Sequence, residues 1–316
     1  MKRIFIRGAL PPELKASVAA IGVFDGVHRG HQKVIARAVS EAGRMGVLSA
    51  VVTFDPHPSA VLQPLHPFPL ITTLEHRLRL IEAMGVDVCV IVRFDRRFSS
   101  CLPENFVYRF LVGWMRARKV VIGRDFHFGC GRAGTVALLR LLGEANGFEV
   151  EQMDIIRNTR KNIRSTTIRA MIAEGKLTGV KRFLGRPFAF LGEVEGGDGR
   201  GRTLGYPTAN FKKEDTVSLP PGIYLVRALW RSRAVNGLCY IGRRPTFKGK
   251  DAPLMRELHL LDYHGNLYGR EILVEFFKKL RDDQVFPDKE TLMAQIARDI
   301  ASARRFFARK VSSRAV

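Results

Sequence analysis

Two histidines three residues apart, His28 and His31, flank Gly30 at the point where an apolar stretch gives way to a helical pattern. Imidazoles at such a point can donate hydrogen bonds to phosphate oxygens, and the first amides of the helix add a positive dipole. Gly30 leaves space for a phosphate or an adenine close to the backbone. The motif lacks the lysine and hydroxyl of a P-loop, and an ordinary turn that contains two histidines is the alternative. It favours nucleotide chemistry that works by positioning and charge neutralisation.

Two further segments of the same half carry groups suited to a nucleotide. The loop 123–134 follows a strand pattern, and its glycines, with Asp125 and Arg132, suit a loop wrapped over a nucleotide. His57 and Pro58 also follow a strand pattern, where they either line a pocket or simply form a turn. Both segments are therefore candidates for the edge of a binding site.

Hydroxyl groups mark the start of another helical pattern. Ser165 or Thr166 can cap this helix. Together with Arg169, the two hydroxyls can also donate hydrogen bonds to triphosphate oxygens. The simpler interpretation is an ordinary capped helix.

The second half contains a glycine-rich loop, 196–210, that no helical pattern follows. Gly199 and Gly201 let successive amides bend into a nest for an anion. Thr208 and Asn210 offer the hard oxygen atoms that suit Mg²⁺, which takes few protein ligands in addition to phosphate and water. The loop is predicted to bind phosphate together with magnesium.

A carboxylate, Glu271, begins a later strand pattern. A carboxylate at this point can act as a general base for a substrate hydroxyl. The alternative is a solvated charge at the edge of a sheet.

The positioning elements of the first half alternate between strand and helix periods. Buried strands are predicted at 17–24 and 47–54, and a helix at 31–45 that ends at Gly46. Thr72 stands three residues before a glutamate, which predicts that it caps a further helix. Such alternation predicts a parallel sheet covered on both faces, with ligands beyond the carboxyl ends of its strands.

The pattern changes after residues 185–187. Short apolar runs then recur between glycine, proline and Asn/Asp turns, which predicts an antiparallel barrel or sandwich. A final helix is predicted, with Asp288 as its cap and an apolar stripe along one face. We therefore expect two domains, 1–184 and 188–316.

Composition limits the class of protein. The 316 residues suffice for two domains, and 46% hydrophobic and 26% charged residues are ordinary globular values. We expect no signal peptide and no membrane partner, and four cysteines without a CxxC spacing indicate a reducing cytoplasm. The net charge of +22 fits a nucleic-acid surface, a protein that handles phosphates, or arginine-rich solvated faces. It supports anionic ligands and leaves their size open.

Ten stretches between residues 21 and 307 together resemble the bacterial bifunctional riboflavin kinase/FAD synthetases. They include "GVFDGVHRGHQ", "TFDPHPSAVLQP", "IGRDFHFGCGRAG", "GDGRGRTLGYPTAN" and "LYGREILVEFFKKLRDDQVF", and they occur in the family's order. The resemblance implies a Rossmann-like nucleotidyltransferase domain with a parallel sheet and a C-terminal antiparallel β-barrel with a closing helix. It also implies two reactions that use ATP and Mg²⁺: phosphorylation of riboflavin to FMN, and transfer of AMP to FMN to give FAD and pyrophosphate.

The resemblance assigns roles to the residues of the first domain. His28 and His31 would bind the ATP phosphates and steady the pentavalent α-phosphate. The triphosphate would be held by Ser165, Thr166 and Arg169.

The remaining assignments in this domain concern FMN and one departure from the family. Asp125 would lie near the phosphates of ATP and FMN, and His57 and Pro58 would contact FMN. The family commonly has I-S-S-T-R-I-R where this chain has "IRSTTIR", so that an arginine stands at Arg164 instead of at Thr167. Charge is kept while geometry changes, because Arg164 lies before the predicted helix cap and Thr167 lies after it.

In the second domain the resemblance implies a kinase site. Thr208 and Asn210 would hold Mg²⁺ and phosphate, and Glu271 would deprotonate the 5′-hydroxyl of riboflavin. Arg281 would lie against the flavin. A primary alcohol is a poor nucleophile, which makes a positioned carboxylate useful there.

Two alternative functions are also compatible with the sequence. A monofunctional riboflavin kinase is one, because the departure at Arg164 and Thr167 falls in the other domain. A basic nucleic-acid-binding regulator is the other, and it would bind oligonucleotides with a steep dependence on salt. The preferred partners are riboflavin, FMN, ATP and FAD, with no specific nucleic acid, while association into homo-oligomers stays open.

Overall fold

The computed structural model describes residues 1–8, 10–65, 68–154, 157–158, 161–196, 205–212, 215–243 and 254–312. The chain divides into two compact units, Met1–Thr167 and Ile168–Val316. This division falls inside the helix Ser165–Ala173. The domain boundary predicted from the sequence, between 184 and 188, lies further along the chain and stays a prediction.

The first unit is built on a parallel sheet. Its strands among the described residues are β1 (Lys2–Ile6), β2 (Ser17–Ile21), β3 (Leu48–Asp55), β4 (Val88–Arg93), β5 (Ala117–Gly123) and β6 (Glu149–Met153). They pair in the order β1-β4-β3-β2-β5-β6, with every neighbouring pair parallel. All five residues of β2 are buried, as expected of a strand covered on both faces. The predicted α/β sheet is confirmed.

Helices and short segments connect these strands. The helices are α1 (Arg29–Met45), α2 (Pro58–Leu62), α3 (Leu74–Glu82), α4 (Arg96–Ser99), α5 (Pro103–Phe106), α6 (Val136–Asn146) and α7 (Ser165–Ala173). A π-helical segment spans Val107–Trp114, a 3₁₀ turn spans Cys130–Arg132, and a small hairpin joins β7 (Arg157–Asn158) to β8 (Lys161–Asn162). Gly46, with a φ of 64°, ends α1 in the predicted left-handed cap.

The predicted cap of α3 is wrong by one residue. Thr73, not Thr72, precedes this helix, and its hydroxyl accepts the amide of His76 at 3.3 Å. The Thr72 hydroxyl accepts the amide of Gly26 at 3.1 Å. The Thr72 side chain, which local spacing predicted to cap α3, therefore binds a residue distant in the chain instead.

Two apolar cores lie on opposite faces of the sheet. On one face Ile21 and Val52 pack with Trp114 and Leu139, and on the other Val18 and Val51 belong to a core that the helices complete with Ile35, Ala38, Leu78 and Ile81. Burial of each large aliphatic side chain stabilises the fold by about 1.5–3 kcal/mol. These cores hold the strand ends in place, and with them the loops that follow.

The second unit is a closed antiparallel barrel. Its described strands are β9 (Phe188–Glu195), β10 (Ala209–Phe211), β11 (Gly222–Trp230), β12 (Arg233–Arg243), β13 (Leu254–Leu260) and β14 (Glu271–Arg281). They close in the order β10-β13-β12-β11-β14-β9. The apolar pattern alone left a barrel and a sandwich open, and the family resemblance implied the barrel. The predicted barrel is confirmed.

Helices flank the barrel. They are α8 (Leu177–Leu184) and α9 (Lys289–Ser312). The carboxylate of Asp288 accepts the amide of Thr291 at 2.7 Å at the start of α9, which confirms the predicted closing helix and its cap. Ala303 and Phe307 of this helix pack with Leu225 of the barrel. Within the described part of the chain, no helix is both long and apolar enough to cross a membrane.

An ion network centred on the buried Lys119 and Glu41 side chains joins α1 to the sheet. The Lys119 ammonium lies 2.9 Å from Glu41, 2.8 Å from Glu151 and 3.4 Å from Glu149. Glu41 also accepts a hydrogen bond from Arg44 at 3.0 Å. The hydrogen bonds from Arg44 and Lys119 lower the pKa of Glu41 from 4.5 to about 2. The ionised carboxylate is therefore stabilised more in the folded state than in the unfolded chain.

The first prediction concerns the acid stability of this unit. Because the folded pKa of Glu41 is depressed, its contribution is complete above its ordinary pKa of 4.5 and is lost as the pH falls towards about 2. The melting temperature of Glu41→Gln should lie below that of the wild type near neutral pH, and the difference should shrink on acidification. Thermal unfolding of both proteins across this pH range measures the effect. A difference that stays constant with pH contradicts it.

Candidate active site

A cleft of about 700 Å³ opens at the carboxyl ends of the strands of the first unit. Segments that follow β2, β3, β5 and β6 contribute to its walls, which is where ligands bind in open α/β sheets. The residues predicted from the sequence that line it are His28, Gly30, His31, Pro58, Asp125, Arg132 and Ser165. The fold thus gathers into one cleft residues that lie far apart in the chain.

His28 occupies the capping position of α1. Its Nδ1 accepts the backbone amide of His31 at 3.2 Å, and the two imidazole rings stack with their centroids 3.5 Å apart. Since Nδ1 accepts, a neutral His28 carries its proton on Nε2. A Cβ atom at Gly30 would lie 3.1 Å from the His28 ring. Gly30 therefore allows the ring to lie against the first turn of the helix.

His31 is held in its neutral form. Burial lowers its pKa well below 6.5, and the nearby His28 and Arg77 side chains lower it further. Its ring packs edge-on against Phe24, and its Nδ1 is buried without a hydrogen-bond partner among the described residues. At neutral pH, His31 is a polar donor or acceptor rather than a cation.

The loop from Val23 to His28 has an unusual backbone. Phe24 and Val27 adopt positive φ angles of 54° and 38°, which is rare for residues other than glycine and most of all for a β-branched one. The buried carboxylate of Asp25 accepts the amides of Ile71 at 3.0 Å and Thr72 at 3.1 Å. Together with the Thr72–Gly26 hydrogen bond, these contacts fix the loop that presents both histidines.

Asp25 is a residue that the sequence reasoning passed over. It stands inside the "DGVHRGH" motif, in which the sequence predicted roles for His28, Gly30 and His31. A carboxylate followed by glycine directly after a buried strand was the available signal, since aspartate readily accepts backbone amides in turns. Its partners lie 46 and 47 residues away, beyond the reach of local patterns.

An ion pair joins two walls of the cleft. The Arg164 guanidinium lies 2.9 Å from the Asp125 carboxylate, and both side chains are more than half exposed. Arg132, which the structure also places in the cleft, contacts Nδ1 of His127 at 3.1 Å. The arginine that departs from the family pattern therefore contacts a residue predicted to lie near the phosphates.

The start of α7 is tied to the histidine loop. The Ser165 hydroxyl donates to the backbone oxygen of Asp25 at 3.1 Å. Thr166 is exposed. Arg169 belongs to the second unit by the division given above, and the phosphate-binding roles of all three residues stay predictions.

His57 and Pro58 begin the short helix α2. Nδ1 of His57 accepts the amide of Ser59 at 3.0 Å, and its ring lies 4.2 Å from that of Phe68. Pro58 lines the cleft. His57 thus forms the turn that the sequence offered as one alternative, while the contact of both residues with FMN stays a prediction.

In the barrel, the predicted kinase residues lie on strands that flank β9. Asn210 of β10 stands opposite Glu195 of β9, and Glu271 of β14 stands opposite Glu193. Directly opposed residues share a face of the sheet, and residues two apart in a strand also share one. Asn210 and Glu271 therefore lie on the same face as the exposed Glu193 and Glu195. Thr208 directly precedes β10.

Two predicted residues of this region, Gly199 and Gly201, lie outside the described residues. Arg281 ends β14, and its guanidinium donates to the buried Asp299 carboxylate of α9 at 2.9 Å. It also lies over the ring of Phe286, 5.6 Å from the centroid. Contact between Arg281 and a flavin stays a prediction.

The donor set near β10 is compatible with magnesium. Among the described residues no group of three or more His, Cys, Asp or Glu side chains could hold a metal ion. Mg²⁺ does not need such a group, because it commonly binds through few protein oxygens together with phosphates and water. The hydroxyl of Thr208 and the amide oxygen of Asn210 are hard donors of this kind.

A parallel α/β unit with paired imidazoles at its strand ends, followed by a closed barrel, is the architecture of a two-domain transferase. The family model described as FAD synthetase matches residues 10–167, and that described as riboflavin kinase matches residues 184–307. The chain belongs to the family of bifunctional riboflavin kinase/FMN adenylyltransferases.

Individual relatives agree with this assignment. The bifunctional riboflavin kinase/FMN adenylyltransferase of Escherichia coli (strain K12) is 38% identical, with 92% of each chain covered. The one from Bacillus subtilis (strain 168) is also 38% identical, over 93% of this chain and 94% of the relative. A crystal structure titled "Macrolide-efflux Protein from Streptococcus pneumoniae" superposes with a TM-score of 0.83 at 28% identity, covering 96% of this chain and 99% of that one. The family models and the relatives, rather than that title, define the family.

The second prediction tests the role of Asp25 in holding the histidine loop. Asp25→Ala leaves the buried amides of Ile71 and Thr72 without an acceptor, which should destabilise the first unit by about 3 kcal/mol. Denaturant unfolding measures this change. The control is Asp154→Ala, which removes an exposed carboxylate of the same unit and should change stability little. Equal effects of the two substitutions contradict the prediction.

Proposed function

We propose that this protein phosphorylates riboflavin with ATP to give FMN, and then transfers AMP from a second ATP to FMN to give FAD and pyrophosphate. The observation that carries the proposal is the match of both halves, in order, to FAD synthetase and riboflavin kinase. Relatives that are named as bifunctional cover 92% or more of the chain. The cleft of the first unit is then the site of one reaction, and the barrel residues at β10 and β14 form the site of the other.

Adenylyl transfer is assigned to the cleft. A phosphate oxygen of FMN attacks the α-phosphorus of ATP, the new P–O bond forms, and the bond to the β-phosphate breaks to release pyrophosphate. FMN already carries a nucleophilic anion, so no base is required. His28 donates from Nε2, His31 acts as a neutral polar group, and the first amides of α1 stabilise the charge that develops on the phosphate oxygens.

Phosphoryl transfer is assigned to the barrel. Glu271 accepts the proton of the ribityl 5′-hydroxyl as its oxygen attacks the γ-phosphorus of ATP, and ADP leaves. Thr208 and Asn210 would hold Mg²⁺, which neutralises phosphate charge when it is bound. Glu271 is exposed at the start of β14, which keeps the carboxylate accessible to substrate.

The remaining assignments complete the proposal. The four cysteines are free thiols, which suits the reducing conditions of the cytoplasm. Specific binding of nucleic acid is not part of the proposed function. Self-association is left open.

A timed assay tests the proposal directly. Purified protein is incubated with riboflavin, ATP and Mg²⁺, and FMN and FAD are separated by chromatography and quantified. FMN should appear first and FAD later. If FMN accumulates and no FAD forms even from added FMN, the protein is a monofunctional riboflavin kinase. If neither product forms, both assignments fail.

The third prediction separates the two sites by mutation. Glu271→Gln cannot accept a proton and should lower kcat for FMN formation by about 10²–10⁴-fold, while FAD formation from added FMN stays at the wild-type rate. His28→Ala should do the reverse and lower FAD formation by roughly 100-fold. Each variant serves as the folding control of the other. Loss of both activities in either variant contradicts the assignment of one reaction to each unit.

The fourth prediction concerns the ion pair that is particular to this chain. Arg164→Ala leaves the Asp125 carboxylate unneutralised in the cleft that would hold the triphosphate. Repulsion should raise the KM for ATP in FAD formation by roughly five- to tenfold, with kcat little changed.

A double-mutant cycle checks the mechanism of this effect. If Arg164 acts by neutralising Asp125, the double variant with Asp125→Ala should show the KM of Asp125→Ala alone. Arg304→Ala, which breaks a similarly exposed ion pair with Asp262 in the second unit, is the matched control. An unchanged KM in Arg164→Ala shows that the arginine has no part in ATP binding.

A further inference from the structure

Arg77 is the largest fully buried side chain among the described residues. It lies in α3 next to Leu78, on the face that also buries Ile81. Arginine is almost never fully buried unless its charge is matched, because the desolvation penalty is large. Neither the family match nor the proposed reaction gives Arg77 a role, so the burial of its charge must have another physical cause.

The guanidinium joins the ends of two neighbouring strands. One terminal nitrogen donates to the backbone oxygen of Val23 at 3.0 Å, and the other donates to that of Phe54 at 3.1 Å. The Val23 oxygen also accepts the hydroxyl of Thr53 at 2.9 Å. Both Val23 and Phe54 line the cleft. A planar fork with fixed donors spans two such oxygens, whereas a lysine ammonium does not.

Val23 begins the loop whose positive φ angles were described above. Strained backbone of this kind persists only where the surrounding contacts over-determine it. The loop is held at Asp25 and Gly26 by the segment before α3, and at Val23 by Arg77 within α3. The third nitrogen of the guanidinium, Nε, is buried without a partner among the described residues, so the contacts to the two strand ends are what the side chain provides.

We propose that Arg77 is the positioning residue of the adenylyl-transfer cleft, which locks the Val23–His28 loop so that His28 and His31 face the phosphates of ATP. This inference rests on the proposed function of the cleft. Arg77 does not contact substrate. It acts by holding the loop and through the effect of its positive charge on His31.

The charge of Arg77 also reaches His31. Burial lowers the pKa of His31 most, the charge of His28 comes second, and the charge of Arg77 comes third. Burial lowers the pKa of Arg77 itself, while three neighbouring groups oppose this shift, namely Asp25, Asp55 and Cys89. Removal of the positive charge should therefore raise the pKa of His31. A purely structural role for Arg77 would not produce this effect.

The fifth prediction compares two replacements. Arg77→Lys keeps a charge and loses the fork, so kcat for FAD formation from FMN should fall about tenfold while the KM for ATP stays within about threefold. Arg77→Met loses both the charge and the fork. Because loss of the charge should raise the pKa of His31, the acidic limb of the pH–rate profile for FAD formation should also move to higher pH. FMN formation by the barrel of the same preparations should stay at the wild-type rate.

Two further variants keep the test decisive. Thr53→Val removes the other side-chain donor to the Val23 oxygen and should give a smaller fall in kcat. It decides the matter if the Arg77 variants do not fold. Arg79→Lys, on the exposed side of the same helix and paired with Glu75, is the matched control and should behave as wild type.

The outcomes separate the inference from the function on which it rests. The inference is overturned if both Arg77 variants form FAD with the wild-type kcat and pH profile. If those variants do not fold, a wild-type kcat and pH profile in Thr53→Val overturns it. If wild-type protein makes no FAD from FMN and ATP, the proposed function fails instead. NMR titration of the His31 ring in wild type and Arg77→Met then decides the inference, and an unchanged pKa overturns it.

Discussion

The first unit depends on a single constraint, which is that the chain must turn sharply after β2 and still begin α1 with two stacked imidazoles. This turn places Phe24 and Val27 in left-handed backbone, a cost of about 1–3 kcal/mol at each strained residue. The carboxylate of Asp25 offsets that cost through its hydrogen bonds to the backbone amides of Ile71 and Thr72, just before α3. A loop held in this way keeps its shape before any substrate arrives, and a site that acts by positioning needs such preorganisation.

In the barrel, the candidate site residues are held in place by strand pairing instead of by a strained turn. Its candidates Asn210 and Glu271 lie on strands rather than on a strained turn, and their spacing follows from the pairing of β10 and β14 with β9. A closed barrel has no free edge, so this register cannot slip without moving a whole face of side chains. The Glu271 carboxylate and the Asn210 amide are thus held by the sheet itself.

Regular periodicity was enough to predict the helices that bury one face. The helix at the end of the chain follows from apolar spacing and its cap, and α1 follows from spacing together with the glycine that ends it. Periodicity alone could not predict closure of the barrel, because closure depends on pairings between strands distant in the chain, and only the family resemblance implied it. The same holds for Asp25, Thr72 and the Arg164–Asp125 pair, whose roles are set by tertiary contacts. Local spacing therefore located the candidate site, and distant contacts determine which side chains hold it.

The excess of positive charge illustrates the difference between composition and location. A net charge of +22 suggests a polyanion as partner when it is considered alone. Several of the cations act inside the protein instead: Lys119 joins α1 to the sheet, Arg77 joins two strand ends, and Arg281 joins the last strand to the closing helix. Such groups present little charge to solvent, and a surface that attracts nucleic acid cannot be inferred from a total that includes them. Arg124, Arg132 and Arg164 line the cleft, and a triphosphate bound there, as proposed, would need localised charge at fixed distances rather than a broad basic surface.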